Sequence, residues 1–191
     1  DRDALALYLR YSCVPSPYCI YRGVRKLPPA AAVAVPIADV GVWPDPVPYW
    51  SARHAAEAGL AAPITASESD AIAQLDTLLR DAVRIRMVAD VPLGAFLSGG
   101  IDSSLVVALM QAQSDRPVRT FTVGFDEADY NEAEDARRIA RHLGTDHTEL
   151  CVTPEEARAV IPRLPDVYDE PFADSSQIPT FLVSEMARRH V

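Results

Sequence analysis

The sequence is poor in cysteine, tryptophan and glycine, with 3 Cys, 2 Trp and 8 Gly among 191 residues. Cys13, Cys19 and Cys151 are too few and odd in number for a disulfide framework, and none forms a Cys-x-x-Cys pair, which points to a reducing, cytoplasmic setting. Long hydrophobic runs are missing too. The most apolar stretch, Ala30 to Ala38, is interrupted by Pro36 and followed by Asp39, well short of the roughly 18 residues a membrane-spanning helix needs. Positive charge is scarce: 18 basic residues against 27 acidic ones give a formal charge of −9, which repels a phosphate backbone and argues against nucleic acid as a general partner. The chain opens Asp1-Arg2-Asp3 with neither an initiator Met nor a basic-then-apolar leader, and it reads as a piece of something longer. What is present, 49% hydrophobic and 24% charged residues, suits one full domain plus part of another with a real core. No internal repeat is visible.

Residues 3–12 carry apolar positions at near-helical spacing before Pro15 and Pro17 forbid continuation, predicting a short helix and a turn. Nine of the 16 prolines lie between Pro15 and Pro63. From Asp39 to Pro63 neither period is sustained, so the stretch reads as a connector whose Trp43, Tyr49 and Trp50 are expected to pack on a neighbouring surface. Ser67-Glu68-Ser69-Asp70 is an N-cap cluster, and a long helix should follow with Ile72, Leu75, Leu79, Ala82, Val83, Arg86 and Met87 on one face, limited by Pro92. Leu93 to Leu97 is a short apolar run ending in Ser-Gly-Gly, and Ser103 to Gln113 is helical in pattern. The alternation continues with a strand over 119–124, a helix over 131–142 capped by Asn131, a strand over 147–152 and a helix opened by Thr153-Pro154-Glu155-Glu156. A last helix runs from near Ile178 toward His190. Strands alternating with helices predict an α/β fold, a parallel sheet flanked by helices, with ligands at the carboxyl ends of the strands.

Chemistry concentrates in Leu97-Ser98-Gly99-Gly100-Ile101-Asp102-Ser103-Ser104, between a buried strand and an apolar helix. Paired glycines let the backbone turn tightly, and the following helix offers free N–H groups and the positive end of its dipole. Phosphate is the natural guest. Ser98, Ser103 and Ser104 can donate to phosphate oxygens, and Asp102 supplies a hard oxygen suited to Mg²⁺. Neither GxxxxGK[ST] nor GxGxxG occurs after the strand, which excludes a Walker loop and a dinucleotide fingerprint. The plain alternative is a tight turn capped by Ser or Asp.

Ser98 to Ser104, SGGIDSS, resembles the PP-loop of the N-type ATP pyrophosphatases, adenine nucleotide alpha hydrolase-like in fold. The surrounding residues resemble glutamine-hydrolysing asparagine synthetases. Tyr18 to Pro28 is similar to the end of that family's glutaminase domain and Asp90 to Ser104 to the start of its synthetase domain. Phe121 to Phe125, Leu143 to His147 and Asp169 to Ser176 follow in the family's order. The resemblance divides the chain into the end of a class II glutamine amidotransferase domain (1–38), a linker (39–66) and the N-terminal part of the ATP-binding domain (67–191). It implies amide synthesis from ATP, in which aspartate's β-carboxylate attacks the α-phosphate, an aspartyl-adenylate forms, pyrophosphate leaves and glutamine-derived ammonia displaces AMP. It implies further that Ser98 to Ser104 hold pyrophosphate, that Asp102 binds Mg²⁺, and that Leu97 and Val123 line the adenosine pocket. Asp174, Ser175 and Ser176 would approach the amino-acid substrate, although such a cluster also suits an N-cap.

His147 receives no catalytic role, His142 and His147 lack zinc-site spacing, and Arg137, Arg138 and Arg141 are expected on the solvated side of a helix. Two family features are expected outside these residues: the N-terminal catalytic Cys of the glutaminase, and the SG[DE]GxDE segment that should follow Val191. On that expectation the 191 residues alone would have weak or no activity. A synthetase closing a β-lactam or macrolactam, and a nucleotide-binding segment without turnover, are the alternatives left open. So is a homodimer.

Overall fold

The computed structural model describes residues 1–38, 41, 44–125 and 132–191. Asn131 and Trp43 lie outside the described residues. Two compact units emerge, one of residues 1–66 with 165–174 and one of residues 67–164 with 175–191. Among the described residues no helix is long and apolar enough to cross a membrane.

In the first unit, α1 (Arg2–Tyr11) starts where the Asp1 carboxylate accepts hydrogen bonds from the amides of Asp3 and Ala4, at 2.8 and 3.1 Å. It ends at Ser12, whose left-handed backbone (φ 61°) stops the helix. The later segment of this unit is stitched on by polar contacts. Ala173 N–H donates to the Ser12 carbonyl at 2.7 Å, Ile20 N–H donates to Glu170 Oε2 at 3.2 Å, and Lys26 pairs with Glu170. Two short strands, β1 (Ala31–Ala32) and β2 (Val47–Pro48), pair antiparallel. Tyr49 and Trp50 stand 75% and 58% exposed, so among the described residues the expected packing of these rings is not made: a bridge this short presents no face broad enough to cover them. The connector also holds a helix, α2 (Ala52–Ala61), capped by the Ser51 hydroxyl. It has no buried residue; alanine's low conformational cost in a helix stands in for an apolar stripe.

The second unit carries the parallel sheet. After α3 (Glu68–Arg86), capped by Ser67, come β3 (Gly94–Phe96), α4 (Ile101–Gln111), β4 (Arg119–Phe125), α5 (Ala133–Leu143) and β5 (Asp146–Val152). The strands lie in the order β3-β4-β5, all parallel. Then follow α6 (Pro154–Val160), a single 3-10 turn at Ile161–Arg163 and α8 (Gln177–Ala187), while all but the first residue of the short α7 (Leu164–Val167) groups with the first unit. The sequence cues at α6 hold: Thr153 and Glu156 form a reciprocal capping box and Pro154 sits in the first turn.

Strand β4 is the hydrophobic centre, and its alternating side chains serve both faces of the sheet. On one side Phe121 packs with Met186 and Ala187 of α8. On the other, Leu97, Val107, Ala136 and Ala140 join the loop after β3 to α4 and α5. Gly94 is required by close approach, since a Cβ there would lie 2.5 Å from Phe121 Cε2. By contrast α3 buries none of its residues, and Ile72, Leu75, Leu78 and Ile85 are each more than half exposed.

His147, on β5, is tied to neighbouring sheet and turn residues. Its Nδ1 lies 2.9 Å from Thr120 Oγ1, which lies 3.0 Å from Thr145 Oγ1. Its Nε2 is buried without a partner among the described residues. Burial therefore holds the imidazole pKa below its ordinary value of about 6.5, partly opposed by Glu149 and aided by Arg137. The folded state then takes up the proton later than the unfolded state on acidification. The stability this protects is complete above about pH 6.5 and is lost as pH falls below it. Urea unfolding midpoints should drop between pH 7.5 and 5.5, and His147→Asn, which keeps an acceptor or donor toward Thr120, should flatten that slope; an unchanged slope in the variant would contradict this account.

Candidate functional site

The loop after β3 turns because its residues leave it little choice. Leu97 is 1% exposed; its N–H donates to the Phe121 carbonyl at 2.9 Å, and its own carbonyl accepts from the Thr122 hydroxyl. The strand is thereby anchored at its last residue. Gly99 then takes φ +83°, a left-handed conformation that costs an L side chain energy. A Cβ at Gly99 would also meet Asp135 Cβ at 3.0 Å and Ala136 N at 3.1 Å, so the loop lies directly against the first turn of α5. Gly100 is the N-cap of α4 and supplies no side chain to cap it. The helix starts at Ile101, two residues earlier than its apolar pattern suggests, and Ile101, Asp102, Ser103 and Ser104 form its first turn.

The serines hold the turn together. Ser98 Oγ and Ser103 Oγ lie 3.0 Å apart, Ser98 N–H donates to Ser103 Oγ at 3.2 Å, and Gly100 N–H donates to Ser98 Oγ at 3.3 Å. Ser103 and Ser104 hydroxyls both donate to the Gly100 carbonyl, at 3.2 and 2.6 Å. Hydroxyls reorient at low cost, so these bonds keep the donors clustered and can be exchanged for bonds to an incoming oxyanion. With the uncapped start of an eleven-residue helix beside them, the loop can hold an anion without a fixed positive side chain.

A cavity of about 840 Å³ opens at the carboxyl ends of β3 and β4. Of the residues singled out in the sequence, Leu97, Ser98, Ser103, Val123, Ser175 and Ser176 line it. Gly99, Gly100, Ile101, Asp102 and Ser104 do not; they shape the turn and the start of α4, and Ile101 is 86% exposed. Asp174 groups with the other unit. Sequence reasoning missed Phe96, Thr122, Phe125 and Glu132, along with the first turn of α8. The rule that parallel sheets bind ligands at strand carboxyl ends would have found Phe125, the last residue of β4.

Arg137, Arg138 and Arg141 are all exposed as expected, and Arg137 also makes a contact across elements. Its Nε and Nη2 donate to the two Glu149 oxygens at 2.7 and 2.6 Å, clamping α5 to β5 in a bidentate pair. The guanidinium bonds hold the Glu149 carboxyl below its ordinary pKa.

Asp102 has an exposed carboxylate in the first turn of α4. Among the described residues no group of three or more His, Cys, Asp or Glu converges as a metal cage. One exposed carboxylate beside a loop able to hold an anion fits Mg²⁺, which binds through one or two carboxylates plus phosphates where these are present.

These features define an α/β domain with a serine- and glycine-rich strand–loop–helix turn following the first strand of its parallel sheet. The asparagine synthase family model matches residues 74–191, and the chain belongs to that family. A relative in Methanocaldococcus jannaschii is 35% identical across the whole chain, which spans 35% of that protein's length. Glutamine-hydrolysing asparagine synthetase 1 of Bacillus subtilis is 31% identical, again across the whole chain, which spans 28% of it. The human glutamine-hydrolysing asparagine synthetase is 39% identical over 43% of this chain and 15% of its own length. The chain thus spans about a third of the length of the first two relatives. Among solved structures, an NMN synthetase from Francisella tularensis aligns with a TM-score of 0.41 at 16% identity, over 65% of this chain and 51% of that one.

Gly99→Ala should destabilise the protein by about 1–3 kcal/mol, from left-handed strain and the tight approach to α5. Urea denaturation measures this; an unchanged midpoint would show that the loop yields freely.

Proposed function

We propose that this chain carries the pyrophosphate-holding part of an asparagine synthetase, an enzyme that uses ATP to convert aspartate to asparagine. The observation that carries the reading is the SGGIDSS turn itself: clustered hydroxyls of Ser98, Ser103 and Ser104, the close-packed Gly99 and an uncapped α4 start, at the mouth of a cavity, in a chain of the asparagine synthase family. In the proposed reaction the β-carboxylate of aspartate attacks the α-phosphorus of ATP. The bond to the bridging oxygen breaks, pyrophosphate leaves and β-aspartyl-AMP remains. Ammonia, derived from glutamine elsewhere in the enzyme, then attacks the acyl carbon; AMP leaves with the bonding pair, and the nitrogen loses a proton to become the amide.

The residues of this chain have separable duties. Ser98, Ser103 and the first-turn N–H groups of α4 hold the β and γ phosphates and stabilise charge as it builds on the departing pyrophosphate. Ser104 and Gly100 keep the turn in shape. Leu97 and Val123 bound the adenosine site at the strand ends, and Ser175 and Ser176 face the amino-acid side of the cavity. Asp102 would hold Mg²⁺, which, when bound, neutralises phosphate charge.

The test uses the protein at the length of its asparagine synthetase relatives. Pyrophosphate release with Mg-ATP should require aspartate, and asparagine should form when ammonia is supplied. Asp102→Asn should lower kcat/KM by about a hundredfold or more, on the scale of a lost electrostatic contact in the transition state. Aspartate-independent release, or an unaffected Asp102→Asn variant, would contradict the proposal.

A further inference from the structure

Among the described residues, Glu132 is the only ionisable one lining the cavity at the strand ends, with hydroxyl-bearing and apolar neighbours. It occupies the N-cap position of α5, yet its side chain makes no capping hydrogen bond. Neither does its carboxylate have an ion-pair partner among the described residues. An exposed carboxylate loses nothing by standing unpaired in water, but in a filled site it must find a donor or a cation.

Its position narrows what that donor can be. Ala136 N–H donates to the Glu132 carbonyl at 3.0 Å, placing Glu132 one helical turn before the residue that abuts Gly99. Glu132 shares the cavity lining with the loop serines Ser98 and Ser103 and with Ser175 and Ser176. There it would repel a triphosphate and both carboxylates of aspartate. Adenine and ribose carry neutral donors, and their place is the strand-end side, near Leu97 and Val123. The acceptor's α-ammonium is the one positive charge among the organic groups of the two substrates.

We infer that Glu132 is a specificity contact that receives the α-ammonium of the amino-acid acceptor, so that the site selects amino acids over dicarboxylic acids lacking the amine. The inference rests on the asparagine-synthetase reading above. It gives the negative side chain a purpose beside a phosphate loop: with the ammonium held, the β-carboxylate can be brought to the α-phosphorus against the repulsion of the phosphates.

The experiment compares aspartate with succinate, which keeps both carboxylates and lacks the amine, in pyrophosphate release by the full-length protein and its Glu132→Gln variant. Glutamine keeps an oxygen acceptor for a neutral N–H or O–H donor but removes the charge. The ratio of kcat/KM for aspartate over succinate should fall by at least about tenfold, the scale of a lost charge-assisted hydrogen bond, with the loss in the aspartate KM. The KM for ATP and the Mg²⁺ requirement should stay within about twofold of wild type on the same reasoning. Glu132→Ala, with its melting temperature measured alongside, serves as the second variant and should give the same loss of discrimination. If wild type discriminates and either folded variant discriminates equally well, the inference fails while the synthetase reading stands. A change confined to the KM for ATP or to the Mg²⁺ requirement overturns it in favour of a nucleotide or metal contact. Wild type that releases no pyrophosphate with aspartate overturns the synthetase reading, and the inference with it.

Discussion

The hydroxyl of Thr122 donates to the carbonyl of Leu97, and the amide of Leu97 donates to the carbonyl of Phe121. Those two bonds decide where β3 stops, and the rest of the second unit is organised around that stop. Thr122 is 3% exposed and Leu97 1%, so neither bond competes with water, and a buried carbonyl left without its donor would be costly. With the strand ended there, the next residues must turn, and Gly99 and Gly100 turn them into α4. The parallel pairing of β3, β4 and β5 sets the height at which this happens, and α5 closes on the loop from the side. A loop shaped by buried strand bonds is preorganised: its donors are already clustered before a ligand arrives, so less entropy is lost on binding.

Charge is arranged sparingly around the loop. Among the described residues no basic side chain lines the cavity, so an anion held there depends on amide and hydroxyl donors and the helix start. Such a site suits a leaving group whose charge grows during reaction, because it binds without the deep ground-state attraction a cluster of arginines would give. The arginines serve elsewhere. Arg137 clamps Glu149 across α5 and β5, and Arg163 pairs with Glu185 at 3.3 Å while lying over the Phe181 ring at 4.4 Å. These pairs fasten helices to their neighbours near the surface, where each contributes modestly.

Much of the second unit was legible in the sequence because local patterns there agree with tertiary demand. The buried run from Arg119 to Gly124, the Ser67 cap and the Thr153-Pro154 start are local signals, and each marks the element it predicts. What escaped was set by distance along the chain. Arg137 stands on the exposed side of its helix as its pattern suggests, but its pairing with Glu149, twelve residues on, is announced by no local pattern. Helix α2 escaped because alanine carries no periodic signature, and the open faces of Tyr49 and Trp50 because burial depends on what lies across from them. In the site, SGGIDSS was legible as chemistry, and its lining role is divided: Ser98 and Ser103 meet the cavity, whereas Gly99, Gly100 and Ser104 build the turn behind it. Glu132 carries no motif, and only the fold brings it to the same cavity as Ser98 and Ser175.

The central claim is that the turn from Ser98 to Ser104 grips the β and γ phosphates of ATP. A crystal structure of the protein at the length of its relatives, with Mg²⁺ and a non-hydrolysable ATP analogue, tests it most directly. The account predicts phosphate oxygens within hydrogen-bonding distance of the Ser98 and Ser103 hydroxyls and of the first-turn amides of α4. A triphosphate seated elsewhere, with the serine-to-serine bonds of the turn intact, would contradict it.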